Sequence, residues 1–192
     1  MAVLRCSEND MKYITSKLLV LTAILAVSML SLSVSAQSAF DQSAMEKKVR
    51  HEILMLPYYD VFDFVKFNVS GGTVTLSGQV NEHSTRKDAE RRVQKIAGVT
   101  NVVNNIEILP LSNFDNELRQ KAFYAIARTG SLGGYLQGVN PAMHIVVSRG
   151  RITLAGTVRN SGDVNMAYMA ARGVSGAFSV TNELISEKDR DQ

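Results

Sequence analysis

The 192-residue chain has one cysteine, Cys6, and no tryptophan. Cys6 lies ahead of an apolar run from Leu18 to about Leu32, and no cysteine follows that run. Beyond it there is no disulfide, no cysteine nucleophile, no thiolate metal site and no cysteine for lipid attachment. The three histidines, His51, His83 and His144, show no paired spacing such as HxxxH. A metal site would therefore need distant residues to converge, and none is expected. No G-x-S-x-G is present, so the usual serine nucleophile elbow is missing. Asp60 and Asp63 flank Val61-Phe62, but turn hydrogen bonds explain such a pair more simply than acid–base work. A strong excess of one charge is also lacking: 21 Lys and Arg stand against 18 Asp and Glu. That balance excludes the global field of a typical nucleic-acid binder. No catalytic, cofactor-binding or metal-binding residue is nominated.

The N-terminal segment has the pattern of a secretory signal peptide: Lys12 and Lys17, the apolar run, then Val34-Ser35-Ala36. The run is shorter than the roughly 20 apolar residues a spanning helix needs. Cleavage is expected before Gln37, giving residues 1–36 as leader, with Met11 an alternative start. The expected location is the periplasm, without a lipid anchor, and full secretion stays open.

The chain also repeats itself. VKFNVSGGTVTLSGQV from Val65 matches MHIVVSRGRITLAGTV from Met143 at an offset of 78 residues, without a gap. Identity at this offset covers Val69, Ser70, Gly72, Thr75, Leu76, Gly78, Val80, Ala89, Gly98, Val102 and Asn104. Shared register over that length means two copies of one small unit. None of the shared residues is acidic, a cysteine or a histidine, so the repeat encodes a fold rather than a catalytic constellation.

Within each copy the periodicity predicts helix, strand, strand, helix, strand: an α+β unit whose three-stranded sheet carries two helices on one face. Gly71-Gly72 and Arg149-Gly150 are expected hairpin turns. Gly78 and Gly156 suit a bulge or a close helix approach. Gly98 and Gly176 suit left-handed helix caps. Gly72, Gly78, Gly98, Gly150, Gly156 and Gly176 are thus structural. The units are placed at 37–109 and 114–186, with a charged, disordered tail at 187–192.

The pattern Gly72-x-Val74-x-Leu76-x-Gly78-x-Val80, followed by Gly98-Val99 and Val102-Val103-Asn104, is similar to the BON domain. That is a small module of bacterial envelope proteins, often in tandem behind a signal peptide. The second copy departs from the pattern at Ala177-Phe178 and in its Gly-rich loop. The resemblance implies a non-enzymatic envelope module that binds phospholipid surfaces or partner proteins, with roles in envelope integrity or stress protection.

Three surfaces are candidates for that role. On the second helix of the first unit, Lys87, Arg91 and Lys95 make a basic stripe interleaved with Asp88 and Glu90. At the start of the second unit, Arg119, Lys121 and Arg128 precede Leu132, Tyr135 and Leu136, a mixture suited to an interfacial lipid contact. In the last helix, charged positions of the first copy are replaced by Met166, Tyr168 and Met169. A helix apolar nearly all round expects burial on several sides. Docking on the first unit, a homo-oligomer or client-protein contact, and membrane insertion all fit. Phospholipid binding is the leading expectation, and a protein-interaction or chaperone-like module is the alternative.

Overall fold

Two-residue turns with both φ angles positive match the right-handed twist of paired strands. Gly71 and Gly72 have φ of 54° and 82°, and Arg149 and Gly150 have 51° and 75°. Each turn closes a hairpin in the computed structural model, which describes residues 42–190. The described residues from Met45 onward gather into one compact unit holding both sheets.

The first repeat begins with α1 (42–54), followed by β1 (Phe64–Ser70), β2 (Thr73–Val80), α2 (His83–Gln94) and β3 (Asn101–Ile108). The second has α3 (Asn113–Ala127), β4 (Met143–Ser148), β5 (Arg151–Val158), α4 (Ser161–Arg172) and β6 (Ser179–Ser186). A five-residue 3-10 helix, Leu132–Leu136, lies between α3 and β4. Each sheet is ordered in sequence with its second strand central. β1 pairs antiparallel to β2, and β2 pairs parallel to β3. The second sheet repeats this arrangement. A parallel neighbour needs a crossover, which α2 and α4 supply.

Alternation along the strands sends one set of side chains under the helices. Val49 and Ile53 of α1 meet Val65, Val74, Leu76, Ala89 and Val93 in the first core. The second core joins Leu118 and Ile126 of α3 to Ile145, Ile152, Leu154, Ala167 and Ala171. The shared asparagine does one job in both copies. Asn104 Nδ2 donates to the Arg86 carbonyl at 3.0 Å, while its Oδ1 accepts from Ile106 N at 3.2 Å. Asn182 does the same with the Val164 carbonyl and Leu184 N. It ties the last strand to the crossover helix, a polar role that conserves the residue between copies.

Three expectations need correction. Gly78 and Gly156 do not accommodate a helix. A Cβ at these positions would lie 2.0 Å from the Phe64 carbonyl oxygen and 2.2 Å from that of Ala142, so the close approach is from the backbone at the start of the partner strand. The tail is not wholly irregular, since Glu187–Arg190 forms a helical turn. Most importantly, the helix carrying Met166, Tyr168 and Met169 does not dock on the first repeat. Met169 is 65% exposed and Met166 is also exposed. The inter-repeat contact is made elsewhere, by the loop before β1. The expected leader and its cleavage site fall outside the described residues.

Candidate functional site

The loop between α1 and β1 fixes how the repeats meet. Val61 and Phe62 pack against the second core. The Phe62 ring meets Phe123 edge-on at 6.2 Å. Ile145 N donates to the Val61 carbonyl at 2.7 Å, using a backbone donor on the free edge of β4. His144 sits between the rings of Tyr59 and Phe64, and its Nδ1 donates to the Asp60 carbonyl at 3.2 Å. Lys66 and Glu183 add an exposed ion pair across the contact.

Asp60 and Asp63 serve this loop. Asp60 Oδ1 accepts from Phe62 N at 2.7 Å, and Asp63 Oδ1 accepts from Asn81 N at 2.7 Å. Burial pushes the Asp63 carboxyl up to about 6, and burial pushes the His144 imidazole below its ordinary value. The two act oppositely on stability. A carboxyl raised in the fold holds its proton more tightly there, so its contribution is full below pH 4 and is lost as pH rises through about 6. An imidazole lowered in the fold contributes above its unfolded value of about 6.5 and loses that contribution as pH falls. Between pH 7 and pH 5 the two partly cancel. Asp63→Asn is therefore expected to make the chain lose more stability on acidification than the parent, and His144→Gln less. Thermal melts of both variants at pH 5 and pH 7 check the signs, and a shared direction would contradict them.

The structure breaks up the expected lipid patch on the second repeat. Leu132 and Leu136 are core residues. Arg119 is 5% exposed, and its Nη2 donates to the Val147 carbonyl at 2.8 Å. Tyr135 packs on the second core, and its hydroxyl donates to Asp163 Oδ2 at 2.6 Å beside the start of α4. Leu132, Leu136 and Arg119 build the unit and are not available to a membrane, while Tyr135 is half-buried. Lys121 and Arg128 remain exposed. Lys121 lies 3.8 Å from Glu117, and Arg128 lies over the Tyr124 ring.

A more concentrated basic surface lies on the first repeat. α1 and α2 flank a groove of about 850 Å³ lined by Lys47, Lys48, His51, Glu52 and Pro57 on one side and by Asp88, Arg91, Arg92 and Lys95 on the other. Arg91 and Lys95 of the expected stripe enter it, while Lys87 is not among its lining. Arg92 pairs with Glu52 at 3.2 Å, and Arg91 pairs with Asp88. Among the described residues no carboxylate pairs with Lys47, Lys48 or Lys95. At the Pro57 end, Met55 is exposed and Tyr58 is 78% exposed. The stripe on α2 alone does not reveal the half of this surface that lies on α1. The signal was the Lys47-Lys48 pair with His51 one turn on.

Among the described residues no cluster of His, Cys, Asp or Glu can hold a metal ion. No described helix is long and apolar enough to cross a membrane. The BON domain family model matches residues 41–110 and 115–187. The curated proteins gave no match. Among solved structures, the chain is similar to the C-terminal domain of CdsD, a structural protein of the Type III secretion system of Chlamydia trachomatis. Identity is 12% over 73% of this chain and 96% of that one, with a TM-score of 0.31. A second CdsD structure gives 13% identity over 77% and 95%, with a TM-score of 0.26. Both scores are too low to bear on function.

Proposed function

Because the chain belongs to the BON domain family, whose members are envelope-associated and generally non-catalytic, we propose that it is an exported periplasmic protein that binds anionic phospholipid surfaces through its first repeat. The observation that carries this is the groove between α1 and α2, where Lys47, Lys48 and Lys95 lack carboxylate partners among the described residues. Unpaired ammonium groups gain by meeting lipid phosphates, each worth about 1 kcal/mol near an anionic leaflet. Tyr58 and Met55 stand at the end of the groove with apolar surface to place among the headgroups. Charge and apolar anchor thus share one end of the molecule.

Co-sedimentation with phosphatidylglycerol and phosphatidylcholine vesicles, at low and high salt, tests this. Binding is expected to the anionic vesicles alone, and to weaken at least tenfold in a Lys47→Glu/Lys95→Glu variant. Lys121→Glu on the second repeat should change it little. Binding that ignores the groove variant would overturn this assignment. Absence of binding to either vesicle would favour the other reading, a protein-interaction or chaperone-like surface around Met166 and Met169, which the structure leaves exposed.

A further inference from the structure

The two repeats enclose a second recess, separate from the α1–α2 groove. It occupies about 840 Å³ between the open face and end of the first sheet and the turn end of the second. Polar side chains dominate its wall. The first repeat contributes Arg86, Gln79, Asn105 and Glu107, and the second contributes Arg149, Arg151 and Thr153. Neither repeat forms it alone. Among the described residues no carboxylate pairs with Arg86, Arg149 or Arg151. Glu107 instead accepts from Gln79 Nε2 at 3.0 Å.

Arg149 carries further information. It holds the left-handed backbone conformation, with φ of 51°, that glycine accepts freely and other residues adopt at a cost. The first repeat has Gly71 at the matching position, with φ of 54°. The second repeat thus bears strain in order to place a guanidinium at the recess, the kind of exception that gathers at ligand sites. The turn is also rigidly held. Asp115 accepts from Arg149 N at 2.8 Å and from Gly150 N at 2.7 Å.

We infer that this inter-repeat recess binds a segment of acidic polysaccharide. Guanidinium groups match carboxylate or phosphate groups on sugars with two parallel hydrogen bonds. Amides, Thr153 and the Glu107 carboxylate supply donors and acceptors for hydroxyl groups. Of its apolar residues, Ile106, Leu109 and Val146 are buried, and Ile108 and Pro110 are the exposed ones, so most of the accessible wall is polar.

Isothermal titration of the protein with a galacturonate decamer tests the assignment, with a maltodextrin of equal length, a glutamate decapeptide and phosphatidylglycerol vesicles as comparators. The galacturonate is expected to bind, and Arg149→Glu/Arg151→Glu to weaken it at least tenfold. Lys47→Glu/Lys95→Glu should leave it unchanged, which separates this site from the lipid groove. Arg149→Gly restores the residue of the first repeat. It should weaken binding severalfold while the melting temperature stays level or rises by up to about 4 °C, so lost binding there cannot be ascribed to misfolding. Equal binding of maltodextrin, tighter binding of the glutamate peptide, loss of binding in the groove variant, or no galacturonate binding would each overturn the inference.

Discussion

Alanine at Gly78 is expected to destabilise the chain by about 3 kcal/mol or more, as is alanine at Gly156. Both glycines have strongly positive φ, 124° and 116°. Both also face a carbonyl oxygen at a distance no Cβ tolerates, 2.0 Å at Gly78 and 2.2 Å at Gly156. Those oxygens belong to backbone paired in the sheet, where Val65 is opposite Gly78 and Met143 is opposite Gly156. Relief would require the hairpin to open at its base. Gly71→Ala provides the comparison: its φ is also positive, but nothing lies within 4 Å of the added Cβ. It should cost only the left-handed penalty, about 1 kcal/mol. Urea unfolding of the three variants measures the difference. Equal costs at Gly71 and Gly78 would show that the sheet yields to the methyl group.

Asp115→Ala is expected to cost about 3 kcal/mol. The carboxylate is 1% exposed, and each of its oxygens accepts a backbone N–H of the Arg149–Gly150 turn. It also offsets the charge of buried Arg119, whose guanidinium burial pushes below its ordinary value. Removing it leaves two backbone donors without their acceptor and takes a compensating charge away from Arg119. Asp115→Asn keeps one acceptor oxygen and should cost about half as much. The same unfolding experiment checks the ratio. A cost under about 0.5 kcal/mol for alanine would mean that water replaces the carboxylate.

The strand order, the hairpins and both cores follow from local patterns. Val65, Phe67 and Val69 alternate ahead of Gly71-Gly72, and Ala89 and Val93 mark one face of α2. Such signals lie within a few residues of one another, so sequence carries them well. Function depends on which elements approach in space, and local patterns do not carry that. Arg119, Leu132, Tyr135 and Leu136 have the composition of an interfacial patch. Yet Arg119 turns inward to the Val147 carbonyl, and the two leucines close the second core. Composition cannot distinguish a cation facing water from one spent on a backbone acceptor. Met166 and Met169 looked destined for burial because their helix is apolar, but Val61 and Phe62 had already taken the inter-repeat role. The groove cations were visible one helix at a time. Lys47 and Lys95 are far apart in sequence, and only the packing of α1 on α2 brings them to one surface.

The loop from Tyr59 to Asp63 also sets an order in time. A chain is made from its N-terminus, so this loop exists before Phe123, His144 and Ile145, the residues it packs against. The first repeat can complete its own sheet with β3 while Phe62 still faces water. Its last contact waits until β4 has been made. The newborn first half therefore exposes one aromatic tip that the finished molecule covers.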